Sequence, residues 1–238
     1  MCNEIFKNQC VNALNLTLTL QPVKTLIFDF DGTIADSIST GLEIANSLAD
    51  EFKYKKVDKS ELPHYRGLSS REIIRELGIS YFRLPFLVRR LRKAMRERLG
   101  ELLPFDGIQG ELSLLKKKGF NMGILTSNSK ENVTQFLANN EWEQYFRFVD
   151  SGVKLFQKSK AIKSILKKQG LNKSQVMLIG DESRDIEAAR KCGIVITAVS
   201  WGFHTRDLLK SCNPDFLIDN PSEISVVLES VNSGRGMN

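Results

Sequence analysis

The amino-acid sequence predicts an α/β protein with a doubly wound, parallel, Rossmann-like sheet and an inserted all-helical cap domain. Three observations lead to this prediction. Short apolar runs alternate with amphipathic helical stretches, and strands that alternate with helices indicate a parallel sheet. The stretch 38–103 breaks this alternation, because it has helical periodicity and no convincing strand. Acidic residues directly follow two of the apolar runs, at 29–31 and 181–185.

The first strand is predicted at 24–30, where an apolar run leads into two aspartates. Within the helical stretch, Ser69 and Glu72 form a capping-box pattern ahead of an apolar face, and 83–98 forms a basic amphipathic helix. The remaining predicted elements are helix 107–118, strand 122–127, helix 130–138, strand 146–150, helix 159–169, strand 175–180, helix 184–192, strand 194–199, a short helix near 205–210, strand 215–218 and a last helix from 221.

These elements divide the chain into three predicted parts. Residues 1–22 form an N-terminal extension, 23–37 together with 104–232 form the α/β core domain, and 38–103 form the helical cap domain. The length of 238 residues suits one large domain or a domain that carries an insertion.

Composition excludes some classes of protein. Hydrophobic residues make up 42% and charged residues 26%, which is typical of a globular enzyme in solution. No apolar run approaches the roughly 20 residues needed to span a bilayer, so no membrane association is expected. The four cysteines show no short paired spacing, which argues against a zinc site and a disulfide framework. We therefore expect a cytoplasmic protein.

The net charge of +6 indicates an attraction to anions, either nucleic acid or phosphorylated metabolites. Much of this charge lies in the basic helix 83–98, which contains Arg83, Arg89, Arg90, Arg92, Lys93, Arg96 and Arg98. Helix surfaces are routinely charged, so we favour a solvated outer face for this helix. Nucleic acid is therefore not the expected partner, although it remains the alternative.

Polar side chains follow the predicted strands at the edge where ligands bind in such a sheet. They are Asp29, Asp31, Thr33, Ser127, Asn128, Asp181, Glu182 and Asp185, with Lys158 opening the helix before the third of these strands. Converging carboxylates repel one another unless a cation lies among them, and hard oxygen ligands suit Mg²⁺. A lysine, a hydroxyl and helix N-termini beside that metal would bind a phosphate group.

Four motifs at these positions resemble the signatures of the haloacid dehalogenase superfamily. "DFDGT" at 29–33 is similar to the first signature, "ILTSN" at 124–128 to the second, Lys158 to the third and "GDESRD" at 180–185 to the fourth. The resemblance covers the chain from about 24 to 220. The position and helical pattern of the predicted cap resemble the phosphoglycolate phosphatase and phosphoglucomutase branch.

The resemblance implies a role for each matching residue. Asp29 would attack phosphorus to give an aspartyl-phosphate, and Asp31 would act as general acid and then as general base. Mg²⁺ would be held by Asp29, the main-chain carbonyl of Asp31, Asp181 and Asp185. Thr33, Ser127, Asn128 and Lys158 would bind the substrate.

Three assignments leave alternatives open at this point. Thr126 competes with Ser127 for the second-signature hydroxyl, and we choose Ser127 because it directly precedes Asn128. Lys154 and Lys160 compete with Lys158, which lies 23 residues before Asp181, near the usual separation of the two signatures. Arg66 in "HYRGLSS" at 64–70 is a candidate substrate contact, and an ordinary loop arginine is an equal alternative.

We therefore expect a Mg²⁺-dependent phosphomonoester hydrolase that acts on a small phosphorylated metabolite, such as 2-phosphoglycolate, as a monomer or a homodimer. A sugar phosphomutase of the same superfamily is one alternative. A nucleic-acid end phosphatase, or a binding module that uses the basic helix 83–98, is an alternative of another class.

Overall fold

The computed structural model describes residues 21–234, and its centre is a six-stranded parallel sheet in the order β5-β4-β1-β6-β7-β8. The strands are β1 (Thr25–Phe28), β4 (Asn121–Leu125), β5 (Phe148–Asp150), β6 (Val176–Gly180), β7 (Val195–Val199) and β8 (Phe216–Ile218). The predicted fold class is confirmed. The strand predicted at 24–30 is shorter, because the chain turns directly after Asp29.

Strand β1 is the central strand of this sheet. It pairs in parallel with β4 on one side and β6 on the other, so that Leu26 lies beside Met122 and Met177. All four of its residues are buried. A strand buried on both faces is a nearly continuous apolar run rather than an alternating one, which explains the residues "LIF" after Thr25.

Helices cover both faces of the sheet. They are α5 (Ile108–Lys117), α6 (Lys130–Asn139), α7 (Lys158–Lys168), α8 (Ser183–Cys192), α9 (Arg206–Ser211) and α10 (Glu223–Asn232). Leu26 and Phe28 belong to one apolar cluster with α5, α6 and α10, whereas Ile27 belongs to a second with α7, α8 and α9. Successive side chains of a strand point to opposite faces, so the two clusters mark the two layers of a doubly wound fold.

The chain between β2 (Ala35–Asp36) and β3 (Leu103–Pro104) contains no strand within the described residues. Its helices are α1 (Ile38–Phe52), α2 (Leu62–Arg66), α3 (Ser70–Glu76) and α4 (Leu84–Glu97). The predicted capping box is present, because the Ser69 hydroxyl accepts from the Glu72 N–H at the start of α3 and the Glu72 carboxylate accepts from the Ser69 N–H. We call residues 38–102 the helical segment.

The sequence analysis missed the antiparallel pair β2–β3, which is two residues long in each strand. Ala35 pairs with Pro104 and Asp36 with Leu103, so the helical segment leaves and rejoins the core through adjacent strands. Strands this short carry no periodicity that a sequence could reveal. The division into core and cap domains stays a prediction.

The predicted N-terminal extension lies outside the described residues, except for Gln21 and Pro22. Within residues 21–234, no helix combines the length and the apolar character that crossing a membrane would require.

Candidate active site

A tight turn places Asp29 at the carboxyl end of β1. The Asp29 N–H donates to the Ile179 carbonyl at 2.8 Å and so extends the pairing with β6 by one hydrogen bond. The next N–H, of Phe30, donates instead to the Asp29 Oδ1 atom at 2.8 Å. The N–H groups of Ile34 and Ala35 then both donate to the Phe30 carbonyl. The strand therefore ends where the first aspartate begins the site.

Gly32 allows this turn to approach β6 closely. Its φ of +76° lies in the left-handed region that favours glycine, and an added Cβ would lie 2.0 Å from Asp181 Oδ2. A side chain at this position would displace Asp181. The glycine in "DFDGT" is therefore required by backbone conformation and by space.

Three carboxylates meet at this edge of the sheet. Asp29, Asp181 and Asp185 each offer one carboxylate oxygen, and these atoms lie within 4.8 Å of one another. Asp181 is oriented by two donors, the Thr33 hydroxyl at 2.9 Å and the Phe203 N–H at 2.7 Å. All three aspartates are buried.

Lys158 links two of these carboxylates. Its Nζ atom lies 2.6 Å from Asp29 Oδ2 and 2.5 Å from Asp185 Oδ1, and its side chain is 6% exposed. Lys154 and Lys160 are exposed. Of the three lysines that the sequence left open, Lys158 is the one that the fold brings into the cluster.

The electrostatics of the cluster favour a bound cation. Burial raises the pKa of Asp181, and the neighbouring carboxylates of Glu182 and Asp29 add to the effect. Burial also raises the pKa of Asp29, although Lys158 opposes this. The four carboxylates Asp29, Asp181, Glu182 and Asp185 face two cations, Lys158 and Arg184, so the cluster keeps an excess of negative charge. Their hard oxygen atoms fit Mg²⁺.

Asp31 lies apart from the three carboxylates. Both of its carboxylate oxygens accept from Asn128 Nδ2, at 3.2 and 3.1 Å. Burial and the charge of Asp29 raise the pKa of Asp31 to about 6. Asp31 is thus a carboxyl group that can exchange a proton near neutral pH.

The two candidate hydroxyls of the second signature have different surroundings. The Thr126 hydroxyl is fully buried and accepts from the Asn128 N–H at 3.0 Å. Ser127 is partly exposed and lines a cavity of about 290 Å³ together with Asp31 and Asn128. The geometry therefore favours Ser127 over Thr126 as the hydroxyl available to a ligand.

Two residues predicted to bind substrate have other partners. The Thr33 hydroxyl is buried and donates to Asp181, so it positions a carboxylate rather than facing a ligand. Arg66 donates from Nε to the Phe203 carbonyl at 2.7 Å and from Nη2 to the Gly202 carbonyl at 2.8 Å. The structure does not bring Arg66 into the cluster, because loop carbonyls occupy its guanidinium.

Sequence reasoning missed two parts of the site. The loop after β7 supplies the Phe203 N–H, which donates to Asp181. This loop follows the end of a parallel strand, where ligands bind, and that position is the sequence signal that could have identified it. One wall of the cavity beside Asp31 is formed by α1 and α4 of the helical segment, which contribute Gly41, Ala45, Val88, Leu91, Arg92 and Met95. Helical periodicity identified α4 but could not show which of its arginines faces the core.

Known proteins resemble this chain over most of its length. It is 36% identical to a phosphoglycolate phosphatase from Synechococcus elongatus over 206 residues, which cover 85% of this chain and 95% of that protein. It is 25% identical to a phosphoglycolate phosphatase from Vibrio parahaemolyticus, over 89% of this chain and 98% of that one. The pyrophosphatase PpaX from Bacillus cereus is 24% identical over 88% and 98% of the two chains.

Solved structures share the fold. A predicted phosphatase from Clostridium acetobutylicum has a TM-score of 0.77 at 22% identity and covers 88% of this chain and 100% of that one. A haloacid dehalogenase-like family hydrolase from Streptococcus pneumoniae has a TM-score of 0.71 at 23% identity, over 86% and 98%. The haloacid dehalogenase-like hydrolase family matches residues 26–199, which confirms the predicted resemblance to this family. The chain belongs to the haloacid dehalogenase-like hydrolase family.

Proposed function

We propose that this chain is a Mg²⁺-dependent phosphomonoester hydrolase that acts on 2-phosphoglycolate through an aspartyl-phosphate on Asp29. The observation that carries the proposal is the convergence of Asp29, Asp181, Asp185 and Lys158 beside Asp31 at one edge of the sheet. The 36% identity to a phosphoglycolate phosphatase supports the choice of substrate.

In the first step, a carboxylate oxygen of Asp29 attacks phosphorus and the ester P–O bond breaks. The carboxyl group of Asp31 gives its proton to the leaving oxygen. The raised pKa of Asp31 suits this role, because the group then holds a proton in part of the molecules near neutral pH. The hydrogen bonds from Asn128 hold the Asp31 carboxyl in place.

In the second step, water attacks the same phosphorus atom and the bond to Asp29 breaks. Asp31, now a carboxylate, takes the proton of that water, so inorganic phosphate leaves and both aspartates return to their starting states. Lys158 and the Ser127 hydroxyl bind phosphoryl oxygens. Mg²⁺, held by Asp29, Asp181, Asp185 and the Asp31 carbonyl, would supply charge neutralisation at the transferring group.

The helical segment is proposed to be the cap domain of this enzyme. It covers the cavity beside Asp31, and it joins the core through the short pair β2–β3. A cap that excludes bulk water around the leaving group would strengthen the interactions with the phosphoryl group. The cytoplasmic location expected from the sequence stays a prediction.

Phosphate release from a panel of esters tests the proposal. The panel contains 2-phosphoglycolate, β-glucose 1-phosphate, pyrophosphate and an oligonucleotide with a terminal phosphate, each assayed with Mg²⁺ and with a chelator. We expect 2-phosphoglycolate to have the highest kcat/KM and the chelator to abolish turnover. Isomerised sugar phosphate without phosphate release would indicate a mutase. Preference for the oligonucleotide would indicate the nucleic-acid alternative. Undiminished turnover in chelator would contradict the metal site.

The lysine assignment has a matched control within the chain. Lys158→Met should lower kcat/KM by at least about a hundredfold, since removing one positioned donor to the transition state costs about that much. Lys154→Met should change it little, because Lys154 is exposed. Equal effects of the two substitutions, with unchanged melting temperatures, would show that Lys158 does not bind the phosphoryl group.

A further inference from the structure

The arginines of α4 have different surroundings. Arg89 and Arg96 are exposed, whereas Arg92 is half-buried. The Arg92 Nε atom is buried and has no hydrogen-bond partner among residues 21–234, and Nη2 makes one long bond, 3.3 Å, to the Val153 carbonyl. A buried donor without a partner is costly to a protein and calls for an explanation.

The main chain holds this turn of α4 against the core. The Arg92 carbonyl accepts from Asn132 Nδ2 at 3.0 Å, and Nδ2 also donates to Asn128 Oδ1 at 2.8 Å. Asn128 in turn donates to Asp31. These hydrogen bonds fix the main chain of Arg92 relative to Asp31, the proposed acid–base residue. The missing partner of Arg92 Nε is therefore not a consequence of a poorly packed helix.

Arg92 lines the cavity of about 290 Å³ beside Asp31, while its Nε atom is buried behind the cavity wall. Among the described residues that line this cavity, Arg92 is the one cation. Its neighbours in the cavity wall are largely apolar, among them Val88, Leu91, Met95 and Leu155. An anion that entered this cavity would find a single group able to neutralise it.

The proposed reaction sends the leaving group into this cavity. Asp31 protonates the leaving oxygen, so the remainder of the leaving group extends from Asp31 into the space that Asp31 lines. A carboxylate in a largely apolar cavity is strongly disfavoured unless a cation pairs with it. Guanidinium and carboxylate pair through two parallel hydrogen bonds, and the Arg92 side chain forms part of the wall of this cavity.

We propose that Arg92 binds the carboxylate of the leaving group and thereby selects phosphomonoesters of small hydroxy acids. This inference rests on the proposed function, because it takes the direction of the leaving group from the role of Asp31. It gives the basic helix a substrate-binding role at one position, while the other arginines of its outer face stay in solvent.

A second cavity, of about 500 Å³, shares Val88, Arg92 and Leu155 with the first. Arg92 therefore also forms part of the partition between two cavities. A residue that only closed such a partition would affect every substrate alike, whereas a carboxylate-binding residue affects only substrates that carry the carboxylate.

Two esters separate these roles. In ethyl phosphate a methyl group replaces the carboxylate of 2-phosphoglycolate, and the phosphate ester is otherwise the same. Arg92→Gln should lower kcat/KM for 2-phosphoglycolate by about a hundredfold, mostly through KM, since a lost buried charge pair costs at least that much binding. It should lower kcat/KM for ethyl phosphate less than about threefold. Arg92→Lys should be intermediate for 2-phosphoglycolate, because it keeps the charge without the planar fork.

Arg89→Gln is the matched control on the same helix, and it should leave both esters unchanged. A loss of the same factor for both esters in Arg92→Gln, or no loss for either, would overturn the inference while leaving the proposed function intact. A wild-type protein that hydrolyses neither ester in the presence of Mg²⁺ would overturn both. Unchanged melting temperatures of the variants establish that they fold.

Discussion

Arg66 and Arg92 both extend from the helical segment toward the α/β core, but their donors are used differently. Two donor atoms of Arg66 bind loop carbonyls at 2.7 and 2.8 Å. Arg92 makes one bond of 3.3 Å and keeps a buried Nε without a partner among the described residues. A guanidinium whose donors are satisfied by the protein stabilises the structure, whereas a buried donor without a partner calls for an explanation such as a ligand-binding role.

The Arg66 contact extends to the three-carboxylate cluster through a single loop. Arg66 holds the carbonyls of Gly202 and Phe203, and its own carbonyl accepts from the Thr205 N–H at 3.0 Å. The Phe203 N–H then donates to Asp181. Arg66 therefore acts on the proposed chemistry through the position of Asp181, and we expect it to affect all substrates equally.

The largest effect should come from Gly202→Ala. An added Cβ would lie 2.2 Å from the Gly32 carbonyl oxygen and 2.3 Å from Asp181 Cβ, so the loop or the carboxylate must move. We expect activity on every ester to fall below detection and the free energy of unfolding to fall by about 3 kcal/mol, as in other overpacked sites. Steady-state assays and thermal melts measure both.

Gly110→Ala is the control for this substitution, because the residue is within helix α5 and no atom of residues 21–234 outside that helix's own backbone lies within 4 Å of the added Cβ. Alanine favours a helix over glycine, so the melting temperature should rise slightly. Wild-type activity in Gly202→Ala would show that this loop does not position Asp181.

An intermediate effect is expected for Arg66→Met. Losing two hydrogen bonds between a charged group and carbonyls should cost about 2 kcal/mol, or about 4–8 °C in melting temperature. The kcat/KM values for 2-phosphoglycolate and ethyl phosphate should fall by the same factor. The exposed Arg75 on α3 gives the control Arg75→Met, which should change neither quantity. A loss of activity confined to 2-phosphoglycolate would instead indicate that Arg66 contacts the substrate, as the sequence suggested.

The smallest effect should come from reversing the exposed charges of α4 with Arg89→Glu and Arg96→Glu, leaving Arg92 intact. Association with anionic substrates should slow modestly at low salt, and the difference should vanish near physiological ionic strength, where screening acts over about 8 Å. Stopped-flow kinetics at two salt concentrations measure this. Tight binding of nucleic acid by the wild type that is lost in the double variant would instead support the nucleic-acid alternative.

The residues proposed to carry the chemistry were predictable from the sequence, because they directly follow strands. "LIF" in β1 and "VMLIG" in β6 are continuous apolar runs, since both strands are buried on both faces, and the aspartates after them are expected to meet at one edge. The separation from Asp181 favoured Lys158 over Lys154 and Lys160. The structure adds what spacing does not show, namely that Lys158 is buried between Asp29 and Asp185.

Contacts between the helical segment and the core were not predictable. The role of Arg66 depends on carbonyls of a loop 136 residues away in sequence, and the place of Arg92 depends on the rotation of α4 about its axis. Both Arg66 and Arg92 lie in basic stretches of the sequence. The composition around them therefore does not show which of the two has its donors satisfied by the protein. Only the tertiary packing distinguishes a satisfied guanidinium from one with a free donor.

Trapping the phosphorylated enzyme tests the central claim most directly. In Asp31→Asn, 4-nitrophenyl phosphate should still transfer its phosphoryl group, since its leaving group departs without a proton, but the water of the second step loses its base. With Mg²⁺, acid quenching and peptide mass spectrometry, we predict one phosphoryl group on Asp29 in Asp31→Asn and none in the double variant Asp29→Asn/Asp31→Asn. A phosphoryl group on any other residue, or phosphate release by the double variant at the rate of Asp31→Asn, would contradict the account.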